Sequence, residues 1–241
     1  MKIVTRFSPS SNGALHLGHL FTILVNEYYA HSNDGKFIVR FDDATDLVRA
    51  MPKGKPEQIM KYQREDIEWM GFEVDEWIYE SEIHQEVQER LHRLGWDGIY
   101  ETPLHSEIAP MVMKEEKGWV AIPYIPNQTA ERVVMDNMIG ATHLIRGDDF
   151  ITEFSLYCYF CQIFDFKTPE FVFLPRLTGV RGDISKSAGG YKLAELRSNG
   201  YIPQEIRTIM AKACLISYGN GFQLHNIKSF PQKKAPEGAV G

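Results

Sequence analysis

The first forty residues constrain the fold of this chain most. Lys2 to Phe7 reads as a short apolar strand, and Ser8 to Gly13 (SPSSNG) is a run of turn formers. Leu17 to His31 (LGHLFTILVNEYYAH) is a helix with apolar residues on most sides. Gly35 then breaks the chain, and Lys36 to Phe41 (KFIVRF) comes next as a nearly continuous apolar strand of the kind that is covered on both faces. Strand, helix, strand in that order implies a parallel βαβ unit with a right-handed crossover. The chain is therefore expected to adopt an α/β fold, and with it the place where chemistry belongs is set, because open parallel sheets bind ligands outside the carboxyl ends of their strands.

Two polar clusters stand at those ends. After the first strand, His16-Leu17-Gly18-His19 opens the helix; free backbone N–H groups and the helix dipole there favour an anion such as a nucleotide phosphate. The two histidines add donors, and the missing side chain at Gly18 admits a flat group. The plainer reading is a surface loop with two incidental histidines. After the second strand come Asp42 and Asp43, which read either as ligand-binding acids or as the start of a solvated turn that caps the next element.

The βα alternation continues. Glu57 to Met70 has helical spacing and stops at Gly71, Trp77 to Tyr79 is a short strand, and His84 to Leu94 is a second amphipathic helix. From Tyr100 to Pro126 prolines punctuate short apolar pieces, with a β-hairpin expected around Lys114 to Gly118. Ala130 to Met135 and His143 to Arg146 read as extended or mixed, Phe154 to Phe166 as an aromatic helix, and Glu170 to Leu174 as another buried strand. Gly179 to Gly190 (GVRGDISKSAGG) is a hydrophilic loop whose hydroxyls and single ammonium suit a phosphate chain. Gln232 to Gly241 reads as a disordered tail with a weak basic pair, Lys233 and Lys234.

Composition excludes several classes. With 241 residues, 44% hydrophobic and 24% charged, the chain can bury a core without staples. Its three cysteines are too few for a disulfide framework, no apolar run is long enough to cross a bilayer, and the start is a strand and not a signal peptide. A cytoplasmic location and no membrane partner are therefore expected. A net charge of -6 means that any nucleic-acid contact must use a local basic patch.

HLGH (16 to 19) and ISKS (184 to 187) together resemble the HIGH and KMSKS signatures of class I aminoacyl-tRNA synthetases. TRFSPSSNG (5 to 13), VRFDDATD (39 to 46), GATHLIRGDD (140 to 149) and LPRL (174 to 177) are similar to the glutamyl/glutaminyl-tRNA synthetase subclass. The likeness runs on through DIEWMGF (66 to 72) and LAELRSNGYIPQEI (193 to 206) in collinear order. The resemblance implies a Rossmann-like, doubly wound parallel sheet with a shortened connective insertion at 95–127 inside a 1–192 catalytic domain, followed by a small helical subdomain and tail at 193–241. It implies ATP, accompanied by Mg²⁺, and an amino acid joined as an aminoacyl-adenylate. By resemblance His16, His19 and Lys186 are catalytic, and Ser10, Gly18, Arg176, Leu177, Ser185 and Lys186 bind ATP. Arg6, Ser8, Asp42, Gln128 and Arg146 bind the amino acid, and no protein metal site is implied. Arg146 stands where glutamyl enzymes use arginine, which favours glutamate, because a guanidinium forks onto a carboxylate.

The chain departs from the family pattern in four places. Gln128 replaces the pocket tyrosine, the DDATD run has an extra residue, Asp183 replaces the first lysine of KMSKS, and the segment from Leu94 to Gln128 is short. No anticodon-binding domain is expected after Lys186. Three functions are consistent with this: a ligase that charges the tRNA acceptor end; the same activation delivered to a small molecule, peptide or carrier; and a non-catalytic synthetase-like binding module, which the intact His16, His19 and Lys186 disfavour.

Overall fold

The structure, a computed structural model, describes residues 2–45, 48, 50–96, 111–115, 118–122, 126–174, 178–179, 182–183 and 192–215. Strand β1 (Val4–Phe7) leads through the SPSSNG turn into α1 (Leu17–His31) and β2 (Lys36–Phe41). The junction before β2 requires glycine: a Cβ on Gly35 would lie 2.5 Å from the Ile3 carbonyl oxygen and 2.7 Å from that of Ala30. Helix α2 (Lys55–Trp69), with Pro56 in its first turn, ends at Gly71 with φ +70°, a left-handed residue just past the helix. Next come β3 (Glu76–Tyr79), α3 (Glu80–Arg93), a hairpin of β4 (Met111–Glu115) and β5 (Gly118–Ile122), and α4 (Pro126–Met138). Strand β6 (His143–Gly147), a 3-10 turn (Asp148–Phe150), α5 (Ile151–Ile163) and β7 (Glu170–Leu174) complete the second half. A two-residue pairing of β8 (Thr178–Gly179) with β9 (Gly182–Asp183) precedes α6 (Leu193–Ser198) and α7 (Pro203–Leu215).

The main sheet has five strands in the order β3-β2-β1-β6-β7, all paired in parallel. It is doubly wound. One apolar cluster joins α1 and α2 to the sheet through Leu20, Phe37, Val39, Ile67 and Ile145, and α6 and α7 add Leu193, Leu196, Ile206 and Met210 to that same cluster. A second cluster joins α3, α4 and α5 through Val87, Val133, Leu144 and Phe160. Adjacent Leu144 and Ile145 fall in different clusters because successive strand side chains point to opposite faces. Among the described residues no helix is long and apolar enough to cross a membrane.

The α/β class, the parallel strands and the hairpin agree with the sequence expectations. One element does not: Ala130 to Met135, expected to be extended or mixed, lies inside α4. Its β-branched Val133-Val134 pair favours a strand locally, but Ala130, Val133 and Val134 are buried at helical spacing against α3 and α5, and that packing prevails over propensity. Helix α3 also begins a turn earlier than His84. Asp43, from the loop after β2, accepts hydrogen bonds at its start from the Ser81 N–H (2.8 Å) and hydroxyl (2.7 Å).

Candidate active site

The strand order reverses between β1 and β6: the chain winds outward from β1 to β3 and then returns to continue from β6 to β7. A parallel sheet opens a crevice outside its carboxyl ends at such a switch point. The residues at those ends are Arg6, Phe7 and Ser8 of β1 and its loop, Arg40, Phe41 and Asp42 of β2, and Arg146 and Gly147 of β6.

The loop after β1 is held from three sides. Gln63, buried on α2, donates from Nε2 to the Ser10 carbonyl (3.0 Å) and the Gly13 carbonyl (2.7 Å). The Asp42 N–H donates to the Pro9 carbonyl at 3.2 Å, pairing Ser10 with Asp42. Beyond the β8–β9 loop, Lys192 bridges to His16, and the Leu193 N–H donates to the Leu15 carbonyl at 3.1 Å.

His16 is the N-cap of α1. Its Nδ1 accepts from the Gly18 N–H at 3.1 Å, while His19 Nδ1 accepts from the His16 N–H at 3.3 Å, and the two rings stack with centroids 3.8 Å apart. Two of the backbone N–H groups that the sequence offers to an anion are thus used locally. The same bonds fix the tautomer, because a neutral ring that accepts at Nδ1 carries its proton on Nε2. Two ring donors at a helix N-terminus form a donor set that suits a phosphate chain.

Beside this loop lies a buried ionic network. Asp136, in the last turn of α4, accepts from Arg6 Nε and NH2 (both 2.9 Å), from Arg40 NH1 (2.9 Å) and from the Tyr157 hydroxyl (2.9 Å). Burial would raise the Asp136 pKa, but Arg6 and Arg40 outweigh it and hold the carboxyl well below the usual range. Arg40 Nε also donates to Asp42 Oδ1 at 3.0 Å; among the described residues its buried NH2, like the buried hydroxyls of Ser8 and Ser11, has no hydrogen-bond partner. Glu80 accepts from the Ala44 N–H at 3.1 Å; burial and then the neighbouring Asp42 charge push its pKa up to about 7.

Arg146 is half-buried, with its guanidinium 3.5 Å from the centroid of the Phe150 ring. Among the described residues it forms no ion pair. Burial, then repulsion from Arg6 and Arg132, pushes its pKa down to about 9, so it stays cationic at neutral pH in a site with unspent positive charge. Arg132, in turn, donates to Glu153 on α5 at 2.9 Å.

The structure thus brings Arg6, Ser8, Ser10, Gly18, His16, His19, Asp42 and Arg146 to the carboxyl ends of neighbouring strands. Gln128 lies in the first turn of α4. Arg176, Leu177, Ser185 and Lys186, and the expected tail at 232–241, lie outside the described residues. Sequence reasoning missed Arg40, Gln63, Glu80, Arg132, Asp136 and Tyr157. For α4 a signal existed: Gln128, Arg132 and Asp136 recur every four residues and share one face once the segment is a helix, whereas an extended reading hides the alignment.

The sheet order and the helices on both of its faces define a Rossmann-like α/β domain. Residues 2–99 match the sequence model of the catalytic domain of class I tRNA synthetases (E and Q). The chain is 27% identical to a glutamate–tRNA ligase of Caulobacter vibrioides over 276 residues, covering 91% of this chain and 57% of that protein. With the corresponding ligase of Thermococcus kodakarensis it shares 41% identity over 98 residues, 39% of this chain and 16% of that one. Its fold is similar to the crystal structure of a glutamate–tRNA ligase from Elizabethkingia meningosepticum in complex with its amino acid (TM-score 0.67, 18% identity, 88% of this chain and 61% of that one). It is also similar in fold to a tyrosyl-tRNA synthetase from Archaeoglobus fulgidus (TM-score 0.57, 15% identity, 79% and 61%). The chain spans 57–58% of the length of curated relatives matched along most of it.

Proposed function

We propose that this protein activates glutamate with ATP to form glutamyl-adenylate and pyrophosphate, and transfers the glutamyl group to the acceptor end of a tRNA. The observation that carries the reading is Arg146: a desolvated guanidinium stacked on Phe150, without an acid partner among the described residues, at the switch point of the sheet. A side-chain carboxylate of the substrate is the natural partner for that charge. Asp42 supplies the opposite charge for an α-ammonium, and the buried Ser8 hydroxyl, in the loop after β1, has no hydrogen-bond partner among the described residues.

The chemistry asks for charge neutralisation and positioning more than for covalent help. A carboxylate oxygen of glutamate attacks the α-phosphorus, the bond from that phosphorus to the bridging oxygen breaks, and pyrophosphate leaves. The Nε2–H groups of His16 and His19 donate to the phosphate oxygens as charge builds up, and Gly18 leaves room for the nucleoside. Mg²⁺ arrives with the nucleotide. Lys186 stands in sequence six residues before Lys192, which bridges His16, and it serves the β- and γ-phosphates. Arg176 and Leu177 contact adenine, Ser10 and Ser185 the phosphates, and Gln128 the amino acid. In the transfer step the acceptor hydroxyl attacks the adenylate carbonyl and AMP departs.

The test is ATP–pyrophosphate exchange across the twenty amino acids. Glutamate stimulates exchange, Lys186→Ala abolishes it, and Arg146→Gln removes the glutamate dependence; ATP binding with no amino acid stimulating exchange rejects the reading. The acceptor is tested separately. Labelled glutamate entering RNase-sensitive, acid-precipitable material supports tRNA, and its absence with total tRNA supports a small-molecule, peptide or carrier acceptor.

A further inference from the structure

Asp136 is not among the residues proposed to bind ATP, yet it joins three elements behind the crevice. It takes four hydrogen bonds, from β1 (Arg6), β2 (Arg40) and α5 (Tyr157), at a side chain that is fully buried. The α4–α5 seam that holds it has two polar rungs one helical turn apart: Arg132 to Glu153, and Asp136 to Tyr157. From Asp136 the order passes outward through Arg40, whose NH1 is bound by Asp136 and whose Nε binds Asp42 Oδ1. Arg6 and Arg40 carry like charges and are both held by this one carboxylate. Without it the two guanidiniums would repel, and Arg40 would be free to swing off Asp42.

A buried ion pair is a poor device for stability, since desolvation cancels most of its attraction and an apolar replacement of the same shape often does as well. It is a good device for geometry. We propose that Asp136 is a positioning residue for the amino-acid substrate: it sets the spacing of Arg6 and Arg40, and through Arg40 it aims Asp42 at the substrate's α-ammonium. The inference rests on the proposed activation of glutamate. Asp42 Oδ1 is committed to Arg40, which leaves Oδ2 as the oxygen for the ammonium.

The experiment is pyrophosphate exchange by the full chain and by Asp136→Asn and Tyr157→Phe, with glutamate and ATP varied in turn and folding followed by circular dichroism. Asp136→Asn keeps the shape and removes the charge. It is expected to raise the KM for glutamate about ten- to hundredfold while leaving the KM for ATP within about twofold. Tyr157→Phe removes one of the four donors and raises the glutamate KM by a smaller factor, about two- to fivefold. A merely structural Asp136 would lower the folded fraction, and with it the rate, but would leave both KM values in place. An unchanged glutamate KM in folded Asp136→Asn overturns the inference while the activation reading stands. If Asp136→Asn does not fold, Tyr157→Phe decides by the same split. A wild-type chain that exchanges with no amino acid overturns the activation reading itself.

Discussion

Glu80 shows how far one buried carboxyl is set by its surroundings. Burial, and after it the Asp42 charge, outweighs the opposing pull of Arg40 and leaves its proton bound up to about pH 7. An acid whose pKa folding raises from an ordinary 4.5 binds its proton more tightly in the folded chain. Below the unfolded value both states are protonated and there is no cost. As pH rises from 4.5 to 7 the unfolded chain releases the proton first, and stability falls. Glu80→Gln keeps an acceptor for the Ala44 N–H and removes the titration. At pH 8 it is expected to be more stable than the wild type by on the order of 2 kcal/mol, with the difference closing towards pH 5, as read by urea melts at both pH values. A variant that is equally stable at pH 8 would show that Glu80 ionises without cost. Arg146 is the converse case: burial and two neighbouring cations weaken its hold on a proton, but not enough to discharge it, and the surplus charge is what an acidic substrate would answer.

Among the elements, the loop between β1 and α1 is held by groups from other parts of the chain. Gln63 reaches from α2 to two of its carbonyls, so Gln63→Leu would leave both unpaired beside a buried apolar group. A loss of about 2 kcal/mol in urea unfolding is expected, together with a raised KM for ATP, because Ser10 and the His16 cap lie at the two ends of the freed loop. Helix α1 is itself capped unusually, by an imidazole in place of a hydroxyl or carboxylate, so the residues proposed to meet phosphate also start the helix. The order of these elements was legible in sequence, and so was the placing of HLGH and DD at the carboxyl ends of strands. The helical state of α4 was not. Its apolar positions fit either period over six residues, and only contact with α3 and α5 selects one.

At the scale of the molecule, the C-terminal helices are part of the domain that carries the site. Arg207 of α7 donates to the carbonyls of Met70 (3.2 Å) and Gly71 (2.7 Å), pairs with Glu27 of α1 at 2.5 Å, and lies over the Phe72 ring. Arg207→Met keeps the stem and strands Glu27, which is mostly buried. With Arg207 itself partly in solvent, a loss of about 2 kcal/mol is expected in thermal or urea unfolding. Helix α1, capped by His16 and with His19 in its first turn, packs in one apolar cluster with the sheet and these C-terminal helices.

Short-range signals were legible along the chain alone: the hydrophobic period of most strands and helices other than α4, the turn at SPSSNG, the glycine stops, and the histidines and acids that end neighbouring strands. Tertiary structure decided the partners. Arg6 is paired with a carboxylate 130 residues away, Asp43 caps a helix that begins beyond another strand, and Arg146 lies over the Phe150 ring with no acid partner among the described residues. The physical reason is range. Backbone preferences and hydrophobic period act between near neighbours, whereas the charge and hydration of a buried side chain are set by whatever the fold brings within a few ångströms of it.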